Sequence, residues 1–192
     1  MTVTPAAPLA APHDVRRRRL IAAATAGVLL VVVVVLWLAL KGDDPKSTTV
    51  VPTPPRIVST AELRKIATGL GRPLYWAGPL KGARIEYTHT ASDRYFVRYL
   101  SRRAAAGDPR RAFLTVGTYP QRDAYATVLS ASKVAAATSA TTKSGALVIN
   151  DKRRPTSVYF SFPGAAFQVE VYDPSPARAR RLVLAGTIRR VI

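Results

Sequence analysis

The stretch from Ser157 to Tyr172, SVYFSFPGAAFQVEVY, decides the fold because it predicts an antiparallel β-hairpin. Apolar and polar residues alternate along both arms, and Pro163-Gly164 is typical of a type II turn, in which glycine accepts the positive φ. In a tight hairpin Phe160 opposes Phe167, and one face of the sheet is then apolar. Such a face must be covered by other elements, which predicts an antiparallel sheet packed with helices.

A second hairpin is predicted from Arg84 to Leu100. In the register that the sequence favours, Tyr87 faces Val97 on one side of the sheet, and Glu86 faces Arg98 on the other. One side gains an apolar pair and the other gains a pair of opposite charges. Both faces therefore support the same register.

Capping signals and periodicity place the remaining elements. Ser59 and Glu62 form a capping box that starts a helix, and Gly69 or Gly71 ends it, while Ser175 caps the last helix. Further strands are predicted at Leu74–Ala77, Ala112–Thr118 and Ala146–Ile149, and a further helix at Gln121–Ala137. The predicted helical faces are Leu63, Ile66, Ala67 and Leu70; Ala124, Val128, Leu129 and Ser132; and, as a buried stripe, Leu182, Ala185 and Ile188.

The two halves of this region share a pattern. LTVGTYP at Leu114–Pro120 and QVEVYDP at Gln168–Pro174 each place a strand, a tyrosine and a proline before a helix. The pattern indicates a diverged βββα repeat. The predicted fold is of the α+β class, with one antiparallel sheet and about three helices.

Upstream of this region, an uncharged apolar run extends from Leu20 to Leu40, LIAAATAGVLLVVVVVLWLAL. As a helix it would span roughly 31 Å, which matches the hydrocarbon core of a bilayer. A cleaved signal peptide is the alternative, but its apolar region is typically shorter, and Leu38-Ala39-Leu40-Lys41 is a poor cleavage site. The run therefore predicts an uncleaved transmembrane helix.

Basic residues beside this helix indicate its orientation. The predicted topology determinants are Arg16, Arg17, Arg18 and Arg19. On the other side only Lys41 and Lys46 lie close to the apolar run. Since cytoplasmic flanks carry the excess of Lys and Arg, the N-terminus is expected in the cytoplasm and the C-terminal domain outside it.

Four segments follow from these patterns. Residues 1–19 are expected to be a disordered basic cytoplasmic tail, and residues 20–40 the transmembrane helix of a single-pass cell-membrane protein. Residues 41–56, rich in Pro and Thr, are expected to be an extended linker, and residues 57–192 an extracytoplasmic α+β domain.

The chain after Leu40 is strongly basic, with 25 basic and 10 acidic residues and a net charge of +15. Such a domain attracts anionic surfaces, although a basic composition typical of GC-rich genomes accounts for the charge without any partner. The sequence contains no cysteine, which excludes disulfides, thiolate metal sites and thiol nucleophiles.

The residues that usually carry chemistry are sparse. His89 is the one histidine after the tail, and it is interpreted as a partly buried polar residue opposite Tyr95. No nucleotide-binding, nucleophile-elbow or zinc-protease motif occurs. The sequence therefore predicts a non-enzymatic domain with no cofactor and no metal site. The acidic residues expected in turns are Asp93, Asp108, Asp151 and Asp173.

Two basic clusters are candidates for an anionic-ligand surface. They are Arg94, Arg98, Arg102 and Arg103, followed along the chain by Lys152, Arg153 and Arg154. Tyr95, Phe96 and Tyr99 interleave with the first cluster, and arginines beside exposed aromatic rings grip nucleic acid strands or glycans. In the alternative interpretation the tyrosines belong to the core and the arginines are merely solvated.

Several motifs resemble those of an uncharacterised family of membrane-anchored actinobacterial proteins. They are PLYWAGP at Pro73–Pro79, YFVRYL at Tyr95–Leu100, LTVGTYP at Leu114–Pro120 and VYDPSPARAR at Val171–Arg180. The resemblance covers the folded domain but neither the tail nor the linker. It implies a single-pass anchored bacterial protein and brings no functional residues with it.

Three functional hypotheses follow. In the leading one, a membrane-anchored extracytoplasmic domain binds an anionic envelope polymer, lipid headgroups or a partner protein, and nucleic acid is not an expected ligand. In the second, the protein is a structural subunit of a membrane complex, because an exposed Tyr75-Trp76 pair is expected and no catalytic set is present. In the third, the topology is inverted and the domain is a membrane-tethered nucleic-acid binder in the cytoplasm.

Overall fold

A computed structural model describes residues 51–192 of the chain. The predicted tail, the transmembrane helix and residues 41–50 of the predicted linker lie outside this range. In order along the chain, the elements are β1 (Thr53–Val58), α1 (Thr60–Gly69), β2 (Tyr75–Trp76), β3 (Ala83–His89), β4 (Tyr95–Ser101), β5 (Thr115–Pro120), α2 (Ala124–Ser132), β6 (Ala137–Thr141), β7 (Leu147–Asp151), β8 (Ser157–Ser161), β9 (Phe167–Tyr172), α3 (Pro176–Leu184) and β10 (Arg189–Arg190). The predicted antiparallel sheet and three helices are thus confirmed. None of the helices from residue 51 onward is long and apolar enough to cross a membrane.

The main sheet has eight strands in the order β1-β3-β4-β5-β9-β8-β7-β6, and every neighbouring pair is antiparallel. β2 and β10 form a separate two-stranded sheet. Strands β5 and β9 meet at the centre, with four strands on either side of their junction. β5 leads into α2 and β9 leads into α3, so each half has four strands before its helix.

The folded region begins earlier than the sequence predicted. The expected linker extended to Arg56, but Thr53, Pro54, Pro55 and Arg56 belong to β1, which pairs with β3. Proline cannot donate to a strand ladder, but β1 is an edge strand and its register shifts between Thr53 and Arg56. The two prolines are therefore compatible with a strand here.

The two predicted hairpins differ in outcome. In β3–β4 the register is the predicted one, with Glu86 opposite Arg98. In β8–β9 the predicted pairing of Phe160 with Phe167 is wrong, because Phe160 pairs with Val169. The predicted turn is nevertheless present, since the Ala165 N–H donates to the Phe162 carbonyl at 3.0 Å. A shift of two residues leaves every side chain on its predicted face.

The three predicted helices are present, but one boundary and two buried faces differ from the prediction. The helix expected at Gln121–Ala137 ends at Ser132, and β6 follows it as an edge strand that the sequence did not predict. In α1, Ser59 caps as expected, accepting the Glu62 N–H at 3.1 Å. In α2 and α3 the buried faces differ from prediction: Ala124 and Val128 are buried but Leu129 is exposed, and Ala179 and Val183 are buried while Ala185 is exposed.

One face of the main sheet carries the core. Directly paired residues of neighbouring strands share a face, and on this first face Val97, Val116, Val158, Val169 and Val171 are fully buried. Leu63 of α1 and two residues of α3, Ala179 and Val183, join the same apolar cluster. The face is apolar in β4, β5, β8 and β9 alike, as the alternation in the sequence predicted.

The pair Tyr75-Trp76, which was expected to be exposed, lies in this core. Tyr75 and Trp76 are 5% and 2% exposed, because β2 is covered by β10 and packs beside the first face. The Tyr75 ring meets the Phe160 ring edge-on at 5.7 Å. One of the two observations behind the second functional hypothesis, the exposed Tyr75-Trp76 pair, is therefore wrong.

The turn between β3 and β4 is held by a single carboxylate. Asp93 has φ 55° and accepts hydrogen bonds from Tyr95 Oη at 2.6 Å and His89 Nε2 at 2.9 Å, and it forms an ion pair with Arg72. Burial opposes ionisation, but these hydrogen bonds and the Arg72 charge together lower the pKa of Asp93 below its ordinary value of 3.8. The ionised carboxylate therefore stabilises the folded state above that value, and the stabilisation is lost as the pH falls through the lower pKa.

We expect Asp93→Asn to flatten the loss of stability as the pH falls below 3.8, because the variant has no carboxylate to protonate. Asparagine tolerates positive φ, so the turn is retained. The measurement is the free energy of unfolding from denaturant titrations at several pH values. Asp123→Asn is the matched control, since the Asp123 side chain makes no capping hydrogen bond to α2. Equal acid slopes for wild type and Asp93→Asn would contradict the assignment.

Candidate functional site

Five of the seven predicted basic residues lie at one end of the main sheet. Arg102 and Arg103 follow the last residue of β4, and Lys152, Arg153 and Arg154 follow the last residue of β7. Because β4, β5, β9, β8 and β7 alternate in direction, both turns fall at the same end. The turn that carries Lys152, Arg153 and Arg154 connects β7 to β8. In the sheet β8 is three interstrand steps from β4, or roughly 14 Å.

A further arginine that sequence reasoning missed lies between these turns. Arg111 belongs to the connection from β4 to β5, and its carbonyl accepts the Tyr172 hydroxyl at 2.7 Å. Its guanidinium lies 5.1 Å from the centre of the Tyr172 ring, at the last residue of β9. We call the six exposed residues the basic end; they are Arg102, Arg103, Arg111, Lys152, Arg153 and Arg154. None of them forms an ion pair within residues 51–192.

Arg94 and Arg98 do not join the basic end. Arg94 precedes β4, at the opposite end of the sheet, and its guanidinium lies 5.7 Å from the centre of the Tyr119 ring. Arg98 lies within β4 and pairs at 2.7 Å with Glu86, whose side chain is fully buried. Arg98 also donates to the Asp108 carbonyl at 2.7 Å. The predicted four-arginine cluster is therefore divided among three places.

The Glu86–Arg98 pair lies on the second face of the sheet, opposite the core. There it holds residues 102–114, which we call the covering loop. The second oxygen of Glu86 accepts the Gly107 N–H at 2.5 Å, and Arg84 donates to the Ala104 carbonyl. Leu100, Ala104 and Phe113 form a small apolar cluster beneath the loop, with Ile57 against them.

A cleft of about 210 Å³ lies on the second face, between the covering loop and β9. We call it the sheet cleft, and its principal lining residues are Phe96, Arg98, Phe113, Tyr119, Glu170 and Tyr172. Phe96, Gly117 and Glu170 form one row across β4, β5 and β9, so they share this face. The sequence did not predict the cleft. The signal it did contain was Glu170, a polar residue that alternates with the valines of β9 and so lies on the second face.

Guanidinium groups surround the aromatic rings of the cleft. Arg98 and Arg110 lie 5.5 Å and 5.6 Å from the centre of the Phe113 ring. At such distances a cation is attracted to the negative face of the ring. Arg110 also pairs with Asp108 at 2.6 Å, and its hydrogen bonds lower the pKa of that carboxyl to about 2. The wall formed by the covering loop is thus cationic, although Asp108 offsets Arg110.

Glu170 supplies a carboxylate to the cleft. Oε1 accepts hydrogen bonds from Ser157 at 2.8 Å and Tyr159 at 3.0 Å, while Oε2 accepts one from Tyr119 at 2.5 Å. Burial and the nearby carboxylate raise the pKa of Tyr119 and of Tyr159, so both hydroxyls stay protonated and donate to Glu170.

Gly117 permits this arrangement. The Tyr119 ring folds back over Gly117, and a Cβ at Gly117 would lie only 2.8 Å from the Tyr119 hydroxyl oxygen and 3.0 Å from two ring carbons. Any larger residue at position 117 must therefore push the ring away from Glu170. An aromatic ring over a glycine of a neighbouring position also compensates for the missing side chain within a strand.

The remaining candidate residues have structural roles. His89 stacks on Tyr95 at 4.4 Å, with 13% of its side chain exposed, as the sequence predicted. Asp108, Asp151 and Asp173 each accept the N–H of the residue two positions later, at 2.8–3.0 Å, which confirms them as turn residues. No group of three His, Cys, Asp or Glu that could hold a metal ion occurs in the described part of the chain.

Comparisons with known proteins identify no relative from which a role for this site could be inferred. No protein-family model, no curated protein and no solved structure matches the chain. The resemblance to an actinobacterial family therefore stays a prediction.

We expect Arg98→Gln to lower the free energy of unfolding by about 3–5 kcal/mol, because it leaves the buried Glu86 carboxylate without its partner. Chemical denaturation at neutral pH measures the change. Arg56→Gln is the matched control, because it breaks the ion pair between Arg56 and Glu62. Both of these side chains are about 40% exposed, and exposed ion pairs contribute little to the free energy of unfolding. If both variants lost the same small amount, Glu86 would not depend on Arg98.

We expect Gly117→Ala to displace the Tyr119 ring from Glu170 and so to lower the pKa of Tyr119 toward its ordinary value of 10.0. Spectrophotometric titration of tyrosine ionisation detects the change as absorbance that appears at lower pH. Gly69→Ala in α1 is the control, since no atom lies within 4 Å of its added Cβ. An unchanged tyrosine titration in Gly117→Ala would contradict this account.

Proposed function

We propose that this protein is a membrane-anchored, non-enzymatic domain that lies outside the cytoplasm and binds an anionic envelope component through the basic end. The anchor is the apolar run Leu20–Leu40, and Arg16–Arg19 set its orientation. One observation carries the binding role: six exposed basic side chains share one end of the sheet, and none forms an ion pair within residues 51–192.

The distribution of acidic residues supports this proposal. Residues 51–192 contain 23 basic and 8 acidic residues, a net charge of +15. Near the basic end, Asp108 pairs with Arg110 and Asp173 pairs with Arg178. Asp151 accepts the backbone N–H of Arg153. These carboxylates are engaged locally, and the six side chains of the basic end retain an excess of positive charge that attracts anions.

The arrangement of strands supports a diverged internal repeat with four strands in each unit. β1, β3, β4 and β5 precede α2, and β6, β7, β8 and β9 precede α3. In the sheet the first strands of both series are the edges and the last strands meet at the centre. In this proposal α1 and β2 are an insertion in the first unit.

The other two hypotheses have each lost part of the basis that motivated them. The structural-subunit hypothesis rested in part on an exposed Tyr75-Trp76 pair, and the pair is buried. The nucleic-acid hypothesis rested on exposed aromatic rings along β4, but Tyr95 and Tyr99 are 3% and 5% exposed on the first face, and only Phe96 is partly exposed. We therefore retain the anionic envelope component alone.

We expect the full chain, purified in detergent, to bind bacterial cell-wall fragments or vesicles containing phosphatidylglycerol, with an affinity that falls steeply as salt rises. The triple variant Lys152→Gln/Arg153→Gln/Arg154→Gln should weaken binding by about 100-fold at low salt, since each basic residue near an anionic surface contributes about 1 kcal/mol. Co-sedimentation across a salt series measures this. Comparison of the two probes distinguishes a polymer from headgroups as the anionic component.

Arg64→Gln/Lys65→Gln/Lys143→Gln is the matched control, because it removes three exposed charges outside the basic end. This control should lose far less affinity. Equal losses in the two variants would show attraction by net charge alone, and no binding at low salt would refute the proposed ligand class. Protease added to intact spheroplasts should digest the C-terminal domain, and protection would refute the orientation.

A further inference from the structure

The sheet cleft joins the basic end through one residue. Arg111 lines the cleft and also belongs to the basic end, and its guanidinium covers the Tyr172 ring at 5.1 Å. A chain-like ligand that binds the basic end therefore passes the opening of the cleft. The basic end would attract an anionic ligand by its charge. The adjoining cleft is therefore a candidate for the contacts that select one anionic ligand over another.

The size of the cleft restricts what enters it. Its volume is about 210 Å³, whereas sites for whole drug-sized ligands span about 300–1,000 Å³. The cleft is therefore matched to one ring-sized group of a longer molecule. The rest of that molecule would extend over the basic end.

The chemistry of the lining favours a ring that carries hydroxyl groups. An ionised carboxylate has about four acceptor positions, and three hydroxyls already donate to Glu170. One acceptor position thus remains for a donor on the ligand. Phe96, Tyr119 and Tyr172 are only partly buried, so they offer apolar surface for the carbon skeleton of such a ring.

The charge of the lining favours an acidic group on the same ligand. Arg111 has no ion pair within residues 51–192, so its guanidinium can pair with a carboxylate or a similar anion. A nucleic acid fits less well, because its phosphates would approach the Glu170 carboxylate when its base enters the cleft. A polymer that alternates hydroxyl-bearing rings with acidic groups satisfies both Glu170 and Arg111.

We propose that the sheet cleft binds one sugar ring of an acidic glycan, with a ring hydroxyl donating to Glu170, the ring packing on Tyr172 and its acidic group pairing with Arg111. The proposal rests on the proposed function, since it specifies the anionic component that the basic end attracts. It adds a requirement that charge alone does not impose: the ligand must contain sugar rings.

The test compares three probes with the full chain in detergent at low salt, by isothermal titration calorimetry. Polygalacturonate supplies sugar rings with carboxylates, inorganic polyphosphate supplies charge without rings, and oligothymidylate supplies charge with bases. We expect polygalacturonate to bind more tightly than polyphosphate of equal charge. Tyr172→Leu should weaken polygalacturonate about tenfold, as the loss of one aromatic stacking partner does, and leave polyphosphate unchanged.

Tyr172→Phe, which keeps the ring, should bind polygalacturonate nearly as well as wild type. Tyr125→Leu is the matched control, because Tyr125 is a partly buried tyrosine of α2 outside the cleft. If Tyr172→Leu fails to fold, the wild-type protein still decides the matter. Polygalacturonate should then perturb the tyrosine difference spectrum, and polyphosphate should not.

Equal binding of polygalacturonate and polyphosphate, with no effect of Tyr172→Leu, would overturn the sugar site and leave the proposed function intact. Tighter binding of oligothymidylate that depends on Tyr172 would also overturn it, in favour of a base site. A lack of binding by every probe at low salt would remove the proposed function together with this inference.

Discussion

The buried ion pair of Glu86 with Arg98 is the interaction on which the second face of the sheet depends. A fully buried carboxylate is costly unless it is paired and hydrogen-bonded, and Glu86 is both, through Arg98 and the Gly107 N–H. Arg98 in turn binds the Asp108 carbonyl, so one pair of charges fixes the covering loop at two points. The loop is the wall of the sheet cleft and carries Arg111 to the basic end. Loss of the pair would therefore affect the candidate site as well as the stability of the fold.

The sheet separates two tasks between its faces. The first face is filled mainly by valines of four adjacent strands, and polar contacts from Thr118 and the Tyr99 hydroxyl hold the backbone at and beside β2. The second face holds a network in which each member satisfies another: Gly117 makes room for Tyr119, Tyr119 donates to Glu170, and Glu170 accepts from two further hydroxyls. Hydrogen bonds of this kind restrain the side chains that make them. The floor of the cleft is thus held by side-chain hydrogen bonds, as a selective binding site requires.

The sequence predicted a strand register correctly where two independent residue pairs favoured the same register. The β3–β4 register was predicted correctly because Glu86 opposite Arg98 and Tyr87 opposite Val97 both favour it. In β8–β9 the Pro163-Gly164 turn was predicted correctly, but the ladder beyond it is two residues out of the tight-hairpin register, and a pattern of period two cannot distinguish registers that differ by two residues. Strand β6, ATSAT, lacks apolar alternation, so only its pairing with β7 reveals it. The basic end and the cleft depend on which strands become neighbours and on where the covering loop closes, and neither is encoded in local periodicity.

Two interpretations account for the positive charge of residues 51–192: an anion-binding surface and a basic composition without a partner. The positions of the charged residues distinguish the two better than the net charge does. A basic composition explains an excess of Lys and Arg, but it makes no demand on where the acidic residues lie. Here seven acidic side chains after position 50 accept a hydrogen bond or form an ion pair in the fold: Glu62, Glu86, Asp93, Asp108, Asp151, Glu170 and Asp173. They hold turns, helix starts and the covering loop, and none of the six side chains of the basic end is an ion-pair partner for them. The structural use of acidic residues therefore leaves one end of the sheet positive, and this end adjoins the sheet cleft, which combines Glu170 with aromatic rings.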